Sequence, residues 1–301
     1  GGKTRFAAND GGQRMCGEGW KTCNSLDSLL SEEYTVGRVL AHGFGSDAQA
    51  PDYSYLKGDI TRAYTRKVEE AKRSFVFLNL KSETVPAALI VYDKVSASNP
   101  DFRKYWLLHS IEEPTLEGNT FTVRRTKDGD SGMLHNTVLL PQTDNLRIDK
   151  IGGPGKENWV FGTNYPNDAV TPYLDNANER GAWRVEVSPP AVTDNFLNVI
   201  QVADNRCNKL NAVQRIEDDR IVGVQLADRV VTFAKSSEPL QKDFTLTVNG
   251  TGTYKFVITD LKAGNWQIKK DGCVFIPLTE VQASDGVLTF EGSAGSYEFC
   301  R

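Results

Sequence analysis

The sequence predicts an all-β protein, a multilayer antiparallel β-sandwich followed by a small C-terminal β domain. From residue 34 onward, apolar runs of about 6 to 8 residues recur between Gly, Pro, Asn and Asp, the spacing of strands and their turns. Several runs, Leu89-Ile90-Val91-Tyr92 above all, are apolar on both faces, so sheets stack on sheets. Beyond about residue 242 the alternation becomes strict, with Phe244, Leu246 and Val248 on one face and Tyr254, Phe256 and Ile258 likewise. The chain is therefore read as an N-terminal extension (1–33), a large β-sandwich (34–240) and a small C-terminal sheet (241–301).

Residues 1–24 are rich in Gly and Asn and show no periodicity. Leu26, Leu29 and Leu30 then predict a helix of about two turns, capped by Ser25 or Asn24. Strands are expected over 73–80, 87–92, 102–109, 120–125 and 134–140. Residues 59–73 are in local conflict, because Ile60, Ala63, Val68 and Ala71 are spaced as on a helix. Residues 141–180 read as loops, including Gly152-Gly153-Pro154-Gly155, which lacks the GK[ST] ending of a phosphate loop. Strands resume over 181–187, 196–202 and 220–234, and Asp271-Gly272 turns a hairpin between 266–269 and 273–276.

A formal charge of −4 and a pI near 5.6 leave no basic footprint for nucleic acid, although a local cluster of cations can still hold an anionic polymer. No apolar run reaches the roughly 20 residues of a membrane helix. Gly1 opens the chain without Met or a signal h-region, which suggests a removed targeting segment or a piece of a longer protein. The five cysteines are read as two disulfides, within the pairs Cys16/Cys23 and Cys273/Cys300, with Cys207 left over. Spacing alone does not fix that connectivity, and five reduced thiols is the competing reading. Disulfides imply a secreted or periplasmic protein.

Two sets of residues carry possible chemistry. His42, Asp59 and His109 are suitable donors for Zn²⁺, with His135 as an alternative; by residue type alone such histidines are more often ordinary loop or core residues. Tyr53, Tyr55, Lys57, Arg62, Tyr64 and Arg66 interleave rings with cations, a mixture suited to an acidic sugar polymer or to an ordinary exposed strand pair. There is no GxSxG elbow, so a serine hydrolase has little support. Asn249-Gly250-Thr251 matches a glycosylation sequon, relevant only in a eukaryotic source.

The segments NDGGQR (9–14), AHGFG…FVFL (41–78), YWLLHSIEEPTLEGN (105–119) and GGPGKENWVFGTNYPN (152–167) together resemble the β-sandwich half of the heparinase II/III-like polysaccharide lyases. That resemblance implies β-elimination on an acidic, uronate-containing polysaccharide such as a glycosaminoglycan. It also implies a structural zinc on His42, Asp59 and His109, and a strand around Tyr64 that presents this tyrosine to the cleft. Tyr53, Tyr55, Lys57, Arg62 and Arg66 would then face the sugar. The family's N-terminal (α/α) toroid, which supplies most catalytic groups, has no counterpart in this nearly continuous β pattern, and Leu40 stands where the family has a further histidine. The expected role is thus the β part of such a lyase, incomplete without a toroid in another domain or chain. The alternative is a noncatalytic carbohydrate-binding or surface-interaction module.

Overall fold

A computed structural model of the chain describes residue 13 and residues 25–31, 34–164 and 181–301. Among the described residues the elements begin with helix α1 (Leu26–Leu29), strands β1 (Arg38–Phe44) and β2 (Tyr53–Asp59), a 3-10 helix (Thr61–Lys67), β3 (Val68–Asn79) and β4 (Ala87–Ala97). There follow β5 (Trp106–Ser110), β6 (Thr115–Glu117), β7 (Thr120–Lys127), β8 (Asp130–Leu140), β9 (Arg147–Gly152), β10 (Trp159–Val160), β11 (Thr163–Asn164), β12 (Trp183–Ser188) and β13 (Thr193–Ala203). The last seven strands are β14 (Val213–Glu217), β15 (Ile221–Leu226), β16 (Arg229–Ala234), β17 (Phe244–Ile258), β18 (Gly264–Lys270), β19 (Cys273–Val281) and β20 (Leu288–Cys300). The all-β expectation holds. No helix among the described residues is long and apolar enough to cross a membrane.

The chain forms two compact units, each assembled from discontinuous pieces. The first takes Gly1–Arg38, Asp59–Arg73 and Glu83–Asn208. In it an antiparallel sheet runs β4-β13-β8-β7-β6 and a second runs β5-β12-β9. Trp106, Val185 and Val187 of the small sheet join Phe121, Val138 and Phe196 of the large one in a single apolar cluster. Both inner faces are apolar because their strands alternate in phase with the pleat, which makes this unit a sandwich. Helix α1 is a single turn; the hydroxyl of Ser25 caps it by accepting from the N–H of Ser28 at 3.1 Å.

The second unit takes Val39–Gly58, Ser74–Ser82 and Lys209–Arg301. Its seven-stranded sheet has the order β14-β15-β16-β17-β20-β18-β19 and closes over a core that includes fully buried Trp266, Tyr297 and Phe299. This sheet starts at Val213, well before residue 241. The change of pattern near 242 marks only the first alternating strand, since β16 is buried at every position and reads as a core strand of the same sheet.

Two local expectations are corrected. Residues around Tyr64 form the 3-10 helix, not a strand. Here the helical spacing of Ile60 and Ala63 was real, while Val68 and Ala71 belong to β3. The Cys273–Cys300 disulfide does not form: Cys273 pairs with Lys270 on one side of β18, and Cys300 pairs with Gln267 on the other. Two strand spacings, about 9.5 Å, exceed the roughly 7 Å that a disulfide spans between Cα atoms. Cys16 and Cys23 lie outside the described residues.

Candidate functional site

The 3-10 helix gives the first unit its most exposed group of candidate side chains. Ile60 N–H donates to Ala71 O at 2.8 Å, Ala71 N–H donates to Thr61 Oγ1 at 2.9 Å, and Asp59 Oδ1 accepts from Thr61 N–H at 3.1 Å. Ala63 is buried, so this turn sits flush against the start of β3. Ser98 fixes its far end, donating from its hydroxyl to Arg66 O and from its N–H to Lys67 O. The pinned turn points Arg62 and Arg66 into solvent and leaves Tyr64 half-buried.

Tyr64 Oη accepts from Gln13 Nε2 at 2.9 Å, and Arg62 reaches Thr35 Oγ1 at 3.4 Å. Because the amide donates, the phenol's own hydrogen is directed away from it and can serve another acceptor. Arg73, whose guanidinium is close enough to interact with Tyr64, forks onto Asp93 through Nε at 2.5 Å and Nη2 at 3.0 Å. Burial pushes the Asp93 carboxyl above its ordinary value, against the pull of Arg73.

The proposed sugar-facing residues divide by strand face. Tyr53, Tyr55 and Lys57 occupy alternate positions of β2 and share one side of it. In the second unit, Lys57 Nζ donates to Asp260 Oδ1 at 2.6 Å and Tyr55 Oη donates to the same oxygen at 3.0 Å; the two residues are 6% and 3% exposed. Asp260 Oδ2 accepts from the N–H of Ala234 at 3.0 Å. Burial, then the Asp260 charge, raises the Tyr55 phenol far above its usual value. These two residues are structural. Tyr53 is half-buried, and its pKa is raised by burial and by Asp285. Only Arg62 and Arg66 of the set are exposed.

His109, on β5, lies across from Arg184 of β12; burial and that guanidinium lower its pKa, so the imidazole is neutral near pH 7, as a ligand must be. The Asp59 carboxylate is raised by burial but brought below its usual value by Thr61 and Arg38, and it is engaged with both. His42 is exposed on β1 in the second unit, its N–H donating to Ser284 O at 3.3 Å. Among the described residues no group of three or more His, Cys, Asp or Glu side chains converges to hold a metal ion. His42 belongs to the second unit, Asp59 and His109 to the first. His135 is engaged with the hydroxyl of Thr122 at 2.8 Å.

Elsewhere in the first unit, the shallow cleft on β9 and β12 is lined by charges that neutralise one another: Arg147–Asp149 at 2.9 Å and Lys150–Glu113 at 2.5 Å. The glycine turn after β9 is a packing device. A Cβ on Gly152 would lie 2.2 Å from Ala182 O, and one on Gly153 would lie 2.7 Å from the Trp183 ring.

Residues 215–301 match the family model of the heparinase II C-terminal domain, which takes in most of β14 and all of β15 to β20. No curated protein matches the chain. Among solved structures, the heparan sulfate lyase HepC from Pedobacter heparinus aligns with a TM-score of 0.38 and 13% identity, over 63% of this chain. The chain covers 26% of that lyase's length.

Proposed function

Taking residues 215–301 as a heparinase II C-terminal domain, we propose that the chain is the β-sheet portion of a polysaccharide lyase that holds an acidic, uronate-containing polymer. The domain match is the observation that carries this reading. Arg62 and Arg66 meet the polymer's carboxylates or sulfates, and Tyr64 stands between them with a phenol hydrogen to give. In β-elimination a base removes the C5 proton of the uronate, the electrons form a C4–C5 double bond, and the C4–O bond breaks. An acid protonates the departing oxygen. Tyr64 suits that last role. The base and the group that neutralises the uronate carboxylate come from a helical domain elsewhere in the protein or in a partner chain. A secreted or periplasmic location, where such polymers are met, belongs to the same proposal.

The test is to incubate the purified chain with heparan sulfate, chondroitin sulfate, hyaluronan and alginate, following both binding and the ultraviolet absorbance of unsaturated uronate. Binding to at least one polymer without turnover is expected, with affinity falling about tenfold in Arg62→Ala/Arg66→Ala as two charge-assisted contacts are lost. Turnover abolished by Tyr64→Phe would mean that this chain is complete by itself. Absence of binding to all four would remove the polysaccharide reading.

A further inference from the structure

The hairpin β10–β11 presents an aromatic ring at a position where its turn calls for something else. Trp159 pairs with Asn164 and Val160 with Thr163, leaving the two-residue tip Phe161-Gly162. Both tip residues have positive φ, 46° and 87°, the geometry of the type I′ turn, which favours Asn, Asp or Gly at its first position. The same molecule builds this tip twice more with an ordinary residue there. Asp128-Gly129, between β7 and β8, has φ of 54° and 92°, and Asp271-Gly272, between β18 and β19, has φ of 50° and 82°.

Phe161 does not repay its backbone strain by packing: at 74% it has the highest exposure of the large apolar side chains exposed among the described residues. The hairpin that holds it is well braced. Asn164 Oδ1 accepts from Asn158 N–H at 2.9 Å, Glu157 Oε1 accepts from Gly155 N–H at 3.1 Å, and Lys156 lies 5.6 Å from the centre of the Trp159 ring. A strained, solvent-facing ring held in a hydrogen-bonded turn is what a ligand contact can use and what folding alone does not require.

We propose that Phe161 is a stacking platform for one pyranose ring of the bound polysaccharide, a contact separate from Arg62, Tyr64 and Arg66. A pyranose presents a face of C–H groups to which a flat apolar ring is complementary, and Lys156 supplies a cation for the acidic substituents of such a polymer. This inference rests on the polysaccharide reading above.

The experiment compares wild type, Phe161→Asn and Phe161→Tyr. Asn suits the turn and removes the ring; Tyr keeps it. Titration with whichever of the four polymers binds wild type is expected to show about fivefold weaker binding for Phe161→Asn, with Phe161→Tyr within about twofold of wild type. The melting temperature of Phe161→Asn should be unchanged or higher, since left-handed backbone suits Asn. Equal affinity of Phe161→Asn and wild type would overturn the stacking role, as would a fall in its melting temperature, which would show that the ring packs against the fold. If wild type binds none of the polymers, the polysaccharide reading itself fails, a different result from wild-type binding that is indifferent to residue 161.

Discussion

At the scale of single residues, period two separated candidate ligands from structural groups. Tyr53, Tyr55 and Lys57 looked like half of an aromatic–basic surface, yet their alternation along β2 put all three on one side. Asp260 then drew Lys57 and Tyr55 inward. The acceptor lies some 200 residues away in sequence, at separations of 203 and 205, so no local pattern announces it. Asp260→Ala should cost about 3–5 kcal/mol, because Lys57 would remain as an uncompensated buried charge. The double variant Lys57→Met/Asp260→Ala should recover part of that loss. Chemical denaturation of the three proteins decides this, and equal midpoints for single and double variants would show the pair to be uncoupled. Zinc content belongs to the same scale. One zinc per purified chain, lost in His109→Ala, would establish the expected zinc on His42, Asp59 and His109, and a zinc-free chain would remove it.

At the scale of elements, the sequence was most legible where the turn chemistry was explicit. Asp271-Gly272 marked its hairpin correctly, and residues 87–92 and 134–140 lie within β4 and β8. Pairing order was not legible, because hydrophobic alternation assigns a face to each strand and says nothing about its neighbours. Cys273 and Cys300 illustrate this: both sit on terminal strands, but β18 runs between those strands. Both thiols should therefore react with iodoacetamide in unfolded protein that has never met a reductant, and Cys273, the exposed one, should react first in folded protein. A mass spectrum showing neither labelled would argue for a bridge. The segment at Tyr64 failed differently. One stretch held the end of a strand, a 3-10 helix and the start of another strand, so neither period applied throughout.

At the scale of the whole molecule, composition and strand pattern sufficed for the fold class, while the division into units depends on contacts between distant segments. Asp52 shows how the second unit is held. Its carboxylate meets Lys81 at 2.6 Å and Lys255 at 3.0 Å, and bonds to these two ammonium groups bring its pKa below the usual carboxylate value, against burial. A carboxyl that is more acidic in the folded state stabilises the fold above its unfolded pKa, about 4. That contribution is lost as pH falls from there through the lower folded value. Thermal melts between about pH 5 and pH 2 should show Asp52→Asn losing less stability on acidification than wild type. The difference should be only a few tenths of a kcal/mol, as the group is partly exposed. An acid limb of the same steepness in both proteins would contradict this account.

The second unit takes its strands from both ends of the described chain, and that has a cost during synthesis. Residues 39–58 leave the ribosome roughly 150 residues ahead of the segment beginning at Lys209 that completes their unit. Until then, Tyr55 and Lys57 have no Asp260, and Asp52 has no Lys255. In that unit's sheet β20 is an interior strand, flanked by β17 and β18. Pairings so distant in sequence form slowly, and removing β20 would take the middle out of the sheet and part the β18–β19 hairpin from β17.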